Sequence, residues 1–120
     1  MLNINTKQVI DIHTELIKEF GGMPGIKDKR LLESAIMSPQ QGYYEDDIEI
    51  IGAIVYGLCM NHAFNDGNKR VAFVVGKYLL YELNKKLDMN NDEFEALIWE
   101  LADGKIPKEL LIEIIKKNVI

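Results

Sequence analysis

The sequence is poor in the side chains on which many enzyme classes depend. Its 120 residues include a single cysteine, Cys59, and two histidines, His13 and His62. One cysteine excludes an internal disulfide and a zinc site built from several cysteines, and is typical of a reducing cytoplasm. Hydroxyl side chains are also scarce, and neither a Gly-x-Ser-x-Gly motif nor a glycine-rich phosphate-binding or dinucleotide-binding loop is present. Serine hydrolases, P-loop proteins and dinucleotide-dependent enzymes are therefore not expected.

Positive charge is in short supply as well. Lysine and arginine total 14 against 19 aspartates and glutamates, which gives a net charge of -5. Such a chain lacks the broad basic surface that neutralises nucleic-acid phosphates, so direct nucleic-acid binding is not expected. The most apolar stretch, Ile48 to Met60, is too short to cross a bilayer, and no signal-peptide pattern follows Met1. We expect a cytoplasmic protein without membrane association.

Apolar residues recur at helical spacing along almost the whole chain, and no alternating run predicts a strand. Cap and stop residues divide the chain into six predicted helices. The first starts at Asn5 or Thr6 and ends at Gly21–Gly22, the second starts at Asp28 and ends before Ser38–Pro39, the third carries Ile48 to Cys59, the central fourth covers Val71 to Tyr81, the fifth runs from Asn90 to near Gly104, and the last has Pro107 in first position and ends near Asn118. Residues 39–47 predict a loop or small flap. The sequence thus predicts one all-α domain over residues 1–120.

The polar segment from His62 to Arg70 does not fit a simple helical bundle. It places an imidazole, a carboxylate, a glycine and two cations at the start of the most apolar helix. A helix N-terminus has unpaired N–H groups and the positive end of the helix dipole, so it attracts anions. Gly67 allows a ligand to approach the backbone, and Lys69 and Arg70 add donors suited to phosphate oxygens.

Two further side chains of this segment predict its chemistry. Magnesium binds through one or two carboxylates together with substrate phosphates, which makes Asp66 the candidate metal ligand. Imidazole exchanges protons near neutral pH, which makes His62 the candidate base for a hydroxyl. The segment therefore predicts a phosphoryl-transfer or nucleotidyl-transfer site.

The segment resembles the signature of the Fic/Doc family, and more specifically its Doc (death-on-curing) toxin branch. The family motif reads His-x-Phe-x-Asp/Glu-Gly-Asn-Gly/Lys-Arg, and here its positions are filled by His62, Phe64, Asp66, Gly67, Asn68, Lys69 and Arg70. Similar sequence also occurs at Ile12–His13, 19–25, 31–35 and Pro39–Gln40. Ala63 replaces the usual proline and Val71 a common threonine, but neither change removes a group with a chemical role.

The resemblance implies a Fic/Doc-like fold and a role for each motif residue. His62 acts as the general base, Asp66 holds Mg²⁺, Arg70 clamps a second phosphate and Phe64 packs inward. Asn68, together with the backbone from Gly67 to Lys69, forms the phosphate cradle. Doc-type members resemble kinases that use ATP in a reversed orientation and phosphorylate a threonine of elongation factor Tu. A small antitoxin inhibits such toxins in trans.

Three functions remain open at this point: a toxin kinase, a Fic-like AMP transferase, and an interaction module that keeps the motif without catalysis. In AMP-transferring relatives a glycine stands where this chain has Lys69, which favours the kinase.

Self-inhibited Fic proteins carry a Ser/Thr-x-x-x-Glu-Gly/Asn helix. None of the four serines and threonines here (Thr6, Thr14, Ser34 and Ser38) is followed four positions later by glutamate. We therefore expect inhibition only in trans.

Simpler interpretations exist for single residues. Asp66 alone is typical of a helix N-cap, and Lys69 and Arg70 alone are typical of a solvated first turn. His13 lies on the apolar face of the first helix and is interpreted as a hydrogen-bonded core histidine. Cys59 is interpreted as a small buried side chain, with a Cys59–His62 nucleophile pair as the alternative.

Tyr43 and Tyr44 lie in the predicted flap. They are either ordinary loop residues or, by the family resemblance, part of a flap that docks the target backbone.

Overall fold

A computed structural model describes residues 2–120 and contains six α-helices. In chain order they are α1 (Thr6–Phe20), α2 (Lys29–Met37), α3 (Asp47–Met60), α4 (Asn68–Glu82), α5 (Asn91–Ala102) and α6 (Lys108–Asn118). A single 3₁₀ turn, Ser38–Gln40, follows α2. The only β pairing in the described range consists of two isolated bridges, Ile26 with Phe64 and Leu87 with Val119. The all-α prediction is confirmed.

Side-chain caps fix most helix starts, as the sequence predicted. Asn5 and Asn90 each form a reciprocal capping box with the residue three positions later, and Asp28 accepts hydrogen bonds from two N–H groups of α2. The last helix differs slightly from the prediction. Pro107 has extended backbone angles and is the N-cap, so α6 begins one residue later, at Lys108.

The centre of the molecule is the hairpin of α3 and α4. Almost every residue of α3 from Ile51 to Cys59 is buried, and α4 packs along it through Val71, Val75 and Leu79. The two helices approach so closely at Gly76 that a Cβ there would lie 2.9 Å from Cγ2 of Val55. The loop that joins α3 to α4 is therefore attached at both ends to the most deeply buried helices.

None of the helices among residues 2–120 combines the length and the apolar character that crossing a membrane requires.

Candidate active site

The loop from Asn61 to Gly67 is held rigidly by side-chain and backbone hydrogen bonds. The Asn68 amide closes a ring on Phe64: its Oδ1 accepts from the Phe64 N–H at 3.1 Å, and its Nδ2 donates to the Phe64 carbonyl at 3.1 Å. The Ala63 carbonyl accepts from the N–H groups of Lys27 and Asp28 at 2.8 and 3.0 Å. These bonds fix the loop to the α1–α2 connection. The Asn68 side chain is used to hold the loop, whereas the backbone N–H of Asn68 belongs to the first turn of α4.

His13 and Phe64 form the floor beneath the loop. The His13 ring is buried and stacks on the buried Phe64 ring, with centroids 3.8 Å apart and planes 8° from parallel. Its Nε2–H donates to the Asp66 carbonyl at 2.8 Å. The interpretation of His13 as a hydrogen-bonded core histidine and the inward packing of Phe64 are both confirmed.

Asp66 is exposed, and its carboxylate is oriented by two backbone donors. Oδ1 accepts from the Gly67 N–H at 2.9 Å and Oδ2 from the Met23 N–H at 3.2 Å. The interpretation of Asp66 as the N-cap of the central helix is wrong. The N-cap is Gly67, with a left-handed φ of 79° and no side-chain cap bond. That backbone geometry suits glycine, because a Cβ strains a residue in this region.

The Asp66 carboxylate fits the requirements of a magnesium ligand. A carboxylate has about four lone-pair sites, so the two N–H bonds fix its direction and leave acceptor capacity for an ion. Residues 2–120 contain no cluster of three or more acidic, histidine or cysteine side chains able to hold a metal. A Mg²⁺ bound here would be held by Asp66, with substrate phosphates and water as its other ligands.

The first turn of α4 has unpaired donors that face a cleft. The N–H groups of Asn68, Lys69 and Arg70 find no acceptor within the described residues, because Gly67 supplies no capping side chain. The cleft has a volume of about 470 Å³ and is lined by Cys59, His62, Asn65, Asp66, Gly67, Asn68, Lys69, Arg70, Trp99, Ala102 and Asp103. The structure thus brings together every motif residue that the sequence singled out for chemistry. A helix N-terminus of this kind binds phosphate oxygens.

His62 stands at the edge of this cleft in a strained backbone conformation. Its φ is 53°, a region that non-glycine residues seldom occupy, and its side chain is exposed. No hydrogen bond to its ring is present in the described part of the chain. The imidazole is therefore available to a proton donor that enters the cleft.

The two cations of the motif extend toward different helices. The Lys69 Nζ lies 4.5 Å from the centroid of the Trp99 ring on α5, and the Arg70 guanidinium carbon lies 4.4 Å from the Phe20 ring on α1. Neither forms an ion pair with a carboxylate in residues 2–120. Lys69 is half-buried, so it is not part of a solvated first turn. Both cations retain charge for an anionic ligand.

Trp99 of α5 and Asp103, the C-cap of that helix, were missed by the sequence reasoning. Nothing local connects them with the motif, although their spacing of four positions is typical of residues on one helix face. That spacing does not show which surface they face.

Cys59 is buried, and the interpretation of it as a small buried side chain is confirmed. Burial raises the pKa of its thiol to about 11, and its Sγ is 3.8 Å from the Ile98 carbonyl. A thiol with a raised pKa is a poor nucleophile at neutral pH, which disfavours the alternative of a Cys59–His62 pair.

The predicted flap packs away from the cleft. Tyr43 is exposed and meets Tyr44 edge-on at 4.9 Å, while the Lys108 Nζ lies 6.0 Å from the Tyr44 ring. The neighbouring Tyr44 side chain raises the pKa of Lys108. Neither tyrosine lines the cleft that contains His62. A role in docking a target stays a prediction.

Comparison with known proteins agrees with this site. Residues 3–80 match the sequence model of the Fic/DOC family. This chain belongs to the Fic/Doc family. Its similarity to "Toxin Doc" of Mycolicibacterium smegmatis is 33% identity over 90 residues, 69% of each chain. "Protein kinase doc" of Escherichia phage P1 is 32% identical over 76 residues, 60% of each chain. Both relatives place this Fic/Doc chain in the Doc branch.

Proposed function

We propose that this chain is the toxin of a toxin–antitoxin pair and a phosphotransferase. It moves the γ-phosphate of ATP to a protein hydroxyl, a threonine of a translation factor such as elongation factor Tu, in the cytoplasm. A cognate antitoxin inhibits it in trans. Membership of the Doc branch supports the toxin assignment, and one relative is named a protein kinase.

The observation that carries the proposal is the uncapped start of α4. The cleft is bordered by three N–H groups and two cations that have no acceptor or carboxylate partner within the described part of the chain, together with the Asp66 carboxylate and His62. Phosphoryl transfer depends mainly on positioning and charge stabilisation, and these groups supply both.

The proposed reaction assigns one step to each group. His62 takes the proton from the acceptor hydroxyl, whose oxygen attacks the γ-phosphorus. The bond from that phosphorus to the β–γ bridging oxygen breaks, and ADP leaves. The N–H groups of the first turn of α4, with Arg70, hold the phosphate oxygens in line. Mg²⁺ held by Asp66 neutralises phosphate charge when bound.

Lys69 favours transfer of the terminal phosphate over transfer of AMP. Its side chain occupies one wall of the cleft against Trp99, beside the helix N-terminus where an α-phosphate would need to settle. We infer that the γ-phosphate seats at this position and that the adenosine end extends elsewhere. Its ammonium group is placed to stabilise charge on the transferred group.

Two labelled forms of ATP test the proposal. The protein is incubated with Mg²⁺ and ATP labelled at either the α- or the γ-phosphate, with purified elongation factor Tu or a cell lysate as acceptor. His62→Ala is the matched control. Label from γ on the acceptor, absent with His62→Ala, is the expected result. Label from α would replace the proposal with AMP transfer, and no label from either form would leave an interaction module.

A further inference from the structure

We propose that His13 is a positioning residue for the reaction: it locks the peptide between Asp66 and Gly67 in the orientation that the phosphate site requires. For its effect on catalysis this inference rests on the proposed function. His13 lies on α1, far from the motif in sequence, and touches neither substrate nor metal in the proposed mechanism.

The lock consists of one hydrogen bond to a peptide group. The His13 Nε2–H donates to the Asp66 carbonyl oxygen at 2.8 Å, across 53 positions of sequence. The same peptide carries the Gly67 N–H, which donates to Asp66 Oδ1 at 2.9 Å. Because carbonyl and N–H belong to one rigid plane, fixing the carbonyl also fixes the direction of the N–H.

This peptide needs an external lock because it precedes glycine. Gly67 has a φ of 79° and adopts positive and negative φ with similar ease. A rotation of the 66–67 peptide would turn its N–H away from the Asp66 carboxylate and its carbonyl toward the cleft. A carbonyl oxygen there would repel phosphate oxygens, and the carboxylate would lose one of its two orienting donors.

The His13 ring is itself held firmly enough to act as a lock. It is buried, with 3% of its surface exposed, and is stacked on Phe64 at 3.8 Å. Phe64 is in turn fixed through its backbone by the Asn68 amide. A Cβ built on Gly67 would lie only 3.6 Å from His13 Nε2, so α1 packs directly beneath the peptide it orients. The ring thus contacts the loop at Phe64 and at the Asp66 carbonyl and lies beneath Gly67.

Two variants separate the hydrogen bond from the packing. His13→Phe keeps a stacking ring but has no donor, whereas His13→Gln keeps an N–H₂ donor at a similar reach without the ring. We expect kcat/KM for phosphate transfer to fall roughly 10- to 100-fold in His13→Phe, mainly through kcat. In His13→Gln, activity recovers at least in part. Val9→Ala, a buried change one turn earlier on α1, is the control for simple loss of stability.

A readout that needs no turnover tests the lock directly. Backbone amide NMR of the nucleotide-free protein shows shifted Gly67 and Asn68 resonances and faster Gly67 amide exchange in His13→Phe, with neither change in Val9→Ala. Unchanged loop resonances in a folded His13→Phe protein would overturn the lock, as would equal losses of activity in His13→Phe and Val9→Ala. If the unaltered protein transfers no γ-phosphate, the proposed function fails while the amide readout still decides the role of His13.

Discussion

His62 has an exposed imidazole and a strained backbone, and its ring forms no hydrogen bond with any residue from 2 to 120, as expected of a side chain that is kept for an incoming group. We predict that His62→Ala abolishes phosphate transfer while folding and ATP binding stay nearly unchanged, because the change removes a base and little packing. Radiolabel transfer and thermal unfolding measure the two effects. His62→Gly, which relieves the positive φ of 53°, should be equally inactive and no less stable than His62→Ala. Full activity in either variant would remove His62 from the mechanism.

Lys69 tests which phosphate is transferred. We predict that Lys69→Gly lowers γ-phosphate transfer by roughly an order of magnitude or more, because it removes charge stabilisation and phosphate positioning. Transfer rates with α- and γ-labelled ATP provide the measurement, and a trace of AMP transfer is the expected companion. Lys77→Gly, on the same helix and outside the cleft, controls for the helix-weakening effect of glycine. Undiminished γ-phosphate transfer by Lys69→Gly would show that the lysine does not set the chemistry.

Asp66 has a structural and a proposed metal-binding role that two substitutions separate. Asp66→Asn keeps an oxygen that accepts from the Gly67 N–H, whereas Asp66→Ala removes both of its acceptors. We predict a raised Mg²⁺ requirement in both variants and a loss of about 1 kcal/mol in unfolding free energy only in Asp66→Ala. Magnesium titration of activity and denaturant unfolding are the measurements. A change confined to stability would restrict Asp66 to holding the loop.

At the scale of elements, Lys116 joins α6 to the start of α3. Its Nζ lies 2.8 Å from Glu49 Oε2 and 3.5 Å from Asp46 Oδ2. The Lys116 hydrogen bond lowers the pKa of Glu49 below its ordinary 4.5, and the Glu49 N–H, with Lys116, lowers the pKa of Asp46 below 3.8. Because the pKa values of these two carboxyl groups are lower in the folded protein than in the unfolded chain, the ion pairs stabilise the fold at pH values above the ordinary carboxyl pKa. This stabilisation is lost as the pH falls through the lowered pKa values.

The hydrogen bond to Glu49 also raises the pKa of Lys116 above 10.5, so its contribution is lost only in strong alkali. We predict that Lys116→Met lowers the midpoint of thermal unfolding at neutral pH and that the difference from the unaltered protein closes as the pH falls well below 3.8. Thermal unfolding across a pH series measures this. Lys105→Met, at an exposed lysine without an ion pair in the described chain, should show no such convergence. A constant deficit for Lys116→Met at every pH would mean that the ion pairs contribute nothing.

Most of the elements were predictable because their signals are local. Capping residues and apolar periodicity lie within a few positions of the structure they produce, and the motif from His62 to Arg70 is contiguous. Long-range pairs were not predictable. The hydrogen bond from the Met23 N–H to Asp66 and the contact of Lys69 with Trp99 depend on how helices pack, which a single sequence does not specify. The N-cap interpretation of Asp66 failed for the same reason: its carboxylate bonds to the α1–α2 connection.

At the scale of the whole molecule, no helix among residues 2–120 pairs a glutamate with Arg70. The Arg70 guanidinium lies over the Phe20 ring and pairs with no carboxylate in residues 2–120. We predict that the purified chain is active without removal of any of its helices and that an antitoxin segment suppresses it. Phosphate transfer by the chain, with and without such a segment, is the measurement. An inert chain activated by deleting one of its own helices would contradict this.

The cleft has two walls that come from different parts of the chain. The motif loop and the start of α4 lie inside residues 3–80, which match the family, whereas Trp99 of α5 and its C-cap, Asp103, lie outside them. A substitution of Trp99 therefore changes the position of the Lys69 ammonium group without changing any residue of the motif. Substrate preference can thus diverge between proteins with identical motifs. Activity read from the motif alone describes one wall of the cleft, and the other wall is supplied by residues outside the range that matches the family.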